Sequence, residues 1–228
     1  MMVRSIYPVV AFAVLLVASL AHAQTAPTLS AEQCQADERI WSAEQRQRSD
    51  YEKLTFKQLE QRGIEMTKCV SVPPTKIKTP KDLANMYSMV ALSTAYNSLA
   101  VDRLMRYLQR HNEGGQFVEF DAAARHSDPL QNFPIDRTPT SQKCQAMGNE
   151  NLEPKLLTYA ELHWRSTQMT QCVDSNQTPM DISTVSQNLL YSSQANMCEA
   201  ETQKRMRHYL VVRHEDTQFL AEDAAGMR

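Results

Sequence analysis

Two stretches decide how this chain is read: Arg103–Ala123, RLMRYLQRHNEGGQFVEFDAA, and Arg205–Ala225, RMRHYLVVRHEDTQFLAEDAA. Shifted by 102 positions they coincide at nine of 21 places, among them Arg103/Arg205, Tyr107/Tyr209, Glu113/Glu215, Phe117/Phe219 and Asp121/Asp223. Self-similarity at a fixed offset is sought first, because a repeat governs the architecture. Other landmarks recur in the same order. Cys34-Gln35-Ala36 answers Cys144-Gln145-Ala146, and Cys69-Val70 answers Cys172-Val173. Thr79-Pro80-Lys81-Asp82-Leu83 answers Thr178-Pro179-Met180-Asp181-Ile182. The expectation is a tandem duplication of a small helical module, with copy 1 at 24–126, a Pro-rich linker at 127–139 and copy 2 at 140–228.

Each copy reads as all-α, with about four helices, one of them long. Glycine is scarce, at five of 228 residues, and Ala, Leu, Gln, Glu, Arg and Met abound. Ser30 with Gln33 and Ser49 with Glu52 read as capping boxes, opening helices near 31–48 and 50–69. Thr79-Pro80-x-Asp82 opens a long helix over about 80–111: a capping hydroxyl, Pro in the first turn and an acid at the positive dipole end. Its inner face runs Tyr87, Val90, Thr94, Asn97, Val101, Leu104, Leu108, His111 in steps of three and four. The matching helix runs from Pro179 to about Arg213, and Pro154 starts another that reaches Cys172. Short last helices fall near 116–126 and 217–227, the first preceded by a break at Gly114-Gly115.

Residues 1–23 read as a secretory signal peptide: Arg4, an apolar run of ten residues from Val9 to Ala18, then Ala21-His22-Ala23 before cleavage at Gln24. Ten apolar residues are too few to span a bilayer, which takes about 20. The remaining 205 residues carry a net charge of about −3, leaving no basic excess for nucleic acid. The expected location is exported, periplasmic or secreted, with no transmembrane anchor after signal cleavage.

All five cysteines lie in the exported part, where disulfides are permitted. Their spacing alone allows 15 ways of drawing two bridges. The duplication selects Cys34–Cys69 and Cys144–Cys172, one pair per copy, and leaves Cys198 as a buried thiol, the alternative being a route to a covalent dimer, with Tyr96 or a close neighbour in its place in copy 1.

No catalytic, metal or dinucleotide motif is visible, so no catalytic residue, metal ligand or cofactor is assigned. The remaining candidates are basic residues that cluster where the long helices end. They are Arg103, Arg106, Arg110 and His111 in copy 1, and Arg205, Arg207, His208, Arg213 and His214 in copy 2. Such a cluster suits an anionic ligand or an acidic protein partner, because Arg offers bidentate geometry. Asp121 and Asp223 are expected to pair with Arg103 or Arg205, and Phe117 and Phe219 to anchor the last helices. The expected function is an exported all-α binding or interaction protein of the bacterial cell envelope, with a protein or small ligand as partner. The alternatives are an enzyme with an unrecognised site, for example a cell-wall hydrolase, and an inhibitor of the periplasmic toxin-immunity type.

Overall fold

The computed structural model describes residues 53–70, 79–129, 131–175 and 181–226, and among them there are seven helices and no strand. In chain order these are α1 (Phe56–Val70), α2 (Pro80–Arg110), α3 (Gly114–Ala123), α4 (Ser141–Gly148), α5 (Tyr159–Ser175), α6 (Ile182–Val212) and α7 (Asp216–Ala224). The signal-peptide reading of residues 1–23, the helix expected near 31–48 and Cys34 all lie outside the described residues.

The long helices α2 and α6 have 31 residues each, about 46 Å at 1.5 Å per residue, and pack on one another. Thr94 Oγ1 donates to Ser192 O at 3.1 Å, and Asn97 Nδ2 to Asn196 Oδ1 at 2.9 Å, between them. α1 lies on α2, and α5 lies on α6. The short helices cross over. α3 packs on α5 and α6, whereas α7 packs on α1 and α2.

Buried charge explains the crossing. Arg103 on α2 donates to Asp223 on α7 at 3.0 Å, and Arg205 on α6 donates to Asp121 on α3 at 3.3 Å. All four side chains are buried. Each aspartate also accepts from the first amide of a distant helix: Asp223 from Phe56 N–H of α1, and Asp121 from Tyr159 N–H of α5 at 2.6 Å. Those amides have no partner inside their own helices. Each arginine reaches back to the segment before that helix, Arg103 to Leu54 O at 2.8 Å and Arg205 to Leu157 O at 2.6 Å.

The aromatic core follows the same exchange. Phe56 meets Phe219 at 5.0 Å and Phe117 meets Tyr159 at 5.1 Å, both edge-on. Tyr107 donates to Glu215 at 3.4 Å, and Tyr209 donates to Glu113. The main core joins Phe56, Leu104, Tyr107 and Phe117 to Met206, Tyr209 and Phe219. A smaller core surrounds Cys144, Met147, Met169, Cys172 and Tyr191.

Several expected boundaries move. α1 starts at Phe56, not near 50, because Thr55 and Gln58 form the capping pair: Thr55 N–H donates to Gln58 Oε1 at 2.8 Å, and Gln58 N–H to Thr55 Oγ1 at 3.3 Å. α5 starts at Tyr159 rather than Pro154, with Thr158 and Glu161 in the same roles. Residues 154–157 form a turn whose Pro154 and Leu157 carbonyls accept from Arg205. α6 begins at Ile182, capped by Asp181, so Asp181 stands in the place of Thr79 rather than of Asp82. The break after α2 comes at Asn112 (φ 58°), and Gly114-Gly115 fall inside α3. His214 (φ 62°) has the same place after α6.

Cys144 and Cys172 are bonded, tying α4 to the end of α5, and Cys198 is free and fully buried. Cys69 is disulfide-bonded as well. Closing the Cys144–Cys172 loop, with a separation of 28, contributes about 3–4 kcal/mol on the chain-entropy account.

Two outcomes follow from the crossed pairs. Asp223→Ala removes the carboxylate shared by Arg103 and Phe56 N–H, and urea unfolding should register a loss of about 3–5 kcal/mol. A loss below about 1 kcal/mol, the range of exposed pairs, would mean the pair is dispensable. A protease site inserted after Asp128, once cut, should leave both pieces co-eluting at the size of the uncut chain in native size exclusion. A non-reducing denaturing gel should separate them, and a piece running alone in native buffer would contradict the interlock.

Candidate functional site

The nine basic candidates do not converge. Arg103 and Arg205 are committed to the buried pairs. Arg207 lies over the Phe56 ring, 5.1 Å from its centroid, and is held by Asp216 at 3.1 Å and Glu60 at 3.2 Å. Arg213 donates to Glu113 at 2.9 Å, and His111 Nε2 lies 3.2 Å from Glu222. Arg106, Arg110, His208 and His214 are exposed, and the His208 ring approaches Phe120 at 6.2 Å. The expected anion-binding cluster is therefore divided between structural pairs and solvated helix ends.

A different place has the shape of a site. A cleft of about 520 Å³ opens between α1 and α6, a volume in the usual range for small-ligand pockets. Glu60, Ile64 and Lys68 form one wall, Ala200, Lys204 and Arg207 the other, and Asn97 of α2 lies at the floor. Asn97 is 5% exposed, and a Cβ on Gly63 would sit 2.5 Å from its Oδ1, so glycine is what lets α1 come this close to α2. Glu60 accepts from Gln203 and from Arg207, both at 3.2 Å, which fixes one end of the cleft. Ile64 is 47% exposed at its mouth.

The contact of α5 with α6 buries a carboxyl. Glu199 of α6 accepts from the Ser166 hydroxyl of α5 at 2.5 Å, close to Asp102 and Tyr159. Burial raises the Glu199 pKa, the Ser166 hydrogen bond lowers it by less, and Asp102 raises it further. Burial, then Glu199 and Asp102, push the Tyr159 hydroxyl up to about 12. Burial likewise pushes the Cys198 thiol up to about 12, which keeps it protonated and unreactive. Among the described residues no three His, Cys, Asp or Glu side chains are grouped to hold a metal ion.

Sequence reasoning missed the cleft residues and the hairpin start that supports them. The available signal was residues 54–70 against 157–173, LTFKQLEQRGIEMTKCV against LTYAELHWRSTQMTQCV, identical at eight of 17 positions. No family model matches the chain, and neither a curated protein nor a solved structure matches it.

Glu199 supplies a pH test. Its pKa is raised by folding, so the folded chain holds the proton more tightly than the unfolded chain. The burial penalty is absent below the ordinary value of 4.5 and grows as pH rises through the raised value. Glu199→Gln keeps an acceptor for Ser166 and removes the charge. It should raise Tm at pH 7, with a gain that shrinks toward pH 4; an equal change at both pH values would contradict the burial argument.

Proposed function

We propose that this chain is an exported binding protein of the bacterial cell envelope, built by tandem duplication of a disulfide-tied helical module, and that the α1/α6 cleft is its binding face. The duplication is supported by the paired contacts: Arg103–Asp223 with Arg205–Asp121, Tyr107–Glu215 with Tyr209–Glu113, and Phe56–Phe219 with Tyr159–Phe117. Export is supported by the leader reading of residues 1–23 and by the disulfide, which persists in an oxidising compartment. Among the described residues no helix is long and apolar enough to cross a membrane.

The observation that carries the binding assignment is the cleft itself. It brings an exposed apolar side chain, Ile64, together with Lys68 and Lys204 around an open volume. The recurring basic residues, by contrast, are largely engaged with carboxylates inside the fold.

A photo-crosslinking residue at Ile64, in the full chain expressed in a Gram-negative host, tests both parts. The exported soluble fraction should contain a chain starting at Gln24, and intact mass should show a discrete adduct. The same label at Leu156, 69% exposed, should give none. Retention of residues 1–23 in a membrane pellet would overturn export. Adducts at both positions, or at neither, would overturn the binding face.

A further inference from the structure

We propose that the α1/α6 cleft takes a small anionic amphiphile, a carboxylate or phosphate head on an apolar tail, with Lys68 and Lys204 receiving the head and Ile64 and Ala200 flanking the tail. This rests on the reading of the cleft as the binding face and names its ligand class.

Charge is the first argument. Glu60 and Arg207 offset each other across the cleft end, and Asp216 holds Arg207 from outside. Lys68, on the α1 wall, meets no carboxylate at ion-pair distance among the described residues. Lys204, on the α6 wall, is 70% exposed, and among the described residues the carboxylate it reaches is Glu201, at 3.8 Å. That glutamate is itself engaged by Arg205 at 2.9 Å. Two lysines thus line one opening on a chain whose formal net charge is −2. An anion entering between them gains from both. The lining between these heads is mostly carbon, from Ile64, Ala200 and the lysine stems, so an inorganic anion would leave that surface uncovered.

Register is the second, independent argument. α2 and α6 correspond at an offset of 102, and α1 and α5 at 103. Some core residues recur at these offsets, among them Leu59/Leu162, Met66/Met169 and Tyr107/Tyr209, but the charged and apolar residues of the cleft do not. Lys68 faces Gln171, Lys204 faces Asp102, Arg207 faces Met105, Ile64 faces Thr167 and Asn97 faces Glu199. The equivalent place in the second half has therefore lost every lysine and arginine of the cleft and carries Asp102 and buried Glu199 instead. α2 and α5 form their helices without basic residues at the matching positions, so helix formation there makes no demand for them.

The test is isothermal titration of the mature, disulfide-intact chain with dodecanoate, dodecyl phosphate, dodecyltrimethylammonium and inorganic phosphate, each below its micelle concentration. One or both anionic amphiphiles should bind saturably, one per chain, and which of them binds identifies the head. The alkylammonium should not bind, and inorganic phosphate should bind at least tenfold more weakly. The double variant Lys68→Glu, Lys204→Glu should weaken the amphiphile at least tenfold with an unchanged melting temperature, whereas Lys155→Glu, on an exposed turn, should bind like the parent. Equal binding of the alkylammonium, or parent-like binding by the double variant, would overturn the proposal. No amphiphile binding with the Ile64 adduct retained would overturn the ligand class alone. Loss of both would overturn the cleft as the binding face.

Discussion

The structure depends on two aspartates that must be neutralised at a distance. Asp121 and Asp223 sit near the ends of short helices, both buried, and each meets an arginine from the other half of the chain. A carboxylate out of water is costly unless it is paired and hydrogen-bonded. Here each one has both, because it also accepts the first amide of α1 or α5. One side chain therefore fixes a short helix, a long helix and the start of a hairpin at once. The crossing of α3 and α7 follows, and so does the make-up of the main core, which draws on both halves of the chain, where Phe56 meets Phe219 and Phe117 meets Tyr159.

This constraint also separates what sequence could reveal from what it could not. The long helix from Pro80 was legible because Thr79 and Asp82 cap each other, and both hydrogen bonds are made. The inner face was legible as periodicity, since Val90, Asn97, Val101, Leu104 and Leu108 are buried; Leu92, Tyr96, Ala100 and Tyr107 were missed because α2 is packed on more than one side. The recurrence of Arg103 and Arg205 was visible, but the exchange of their partners was not. Identity at an offset says which residues repeat and is silent on which copy each one touches. That silence left Arg103 and Arg205 among the binding candidates, whereas in the fold each is paired with a buried aspartate.

The misplaced starts have a local cause. Thr55 with Gln58 and Thr158 with Glu161 make the reciprocal capping bonds, a residue pattern that the sequence also offers at Ser49 and Glu52, while Pro154 drew the start of the other helix forward. Gly114-Gly115 drew the break toward glycine. The chain turns earlier, at Asn112, because the Glu113 amide closes back on Leu108 O at 2.7 Å. Glu215 does the same on Leu210 O at 2.8 Å, with His214 in the left-handed region. Asn tolerates that conformation, whereas His accepts some strain there, so geometry is retained even where the favoured residue is not.

Positions at equal register therefore divide by physical role. Those that satisfy buried charge or close a helix end keep their chemistry in both halves: Arg, Asp, Glu, Tyr and Phe recur. Others meet different partners in the two halves, whether or not the residue type is the same. Arg62 stacks on and donates to Tyr96 in the first half, and its counterpart Arg165 lies near Cys198 in the second, held instead by Glu150. Asn97 bridges two helices with a neutral amide, and its counterpart Glu199 carries a carboxyl that burial disfavours in its charged form. A buried amide and a buried acid thus stand 102 positions apart, each with its own hydrogen-bond partner: Asn196 for Asn97 and Ser166 for Glu199. The α1/α6 cleft, whose floor is that same Asn97, is where that difference opens to solvent.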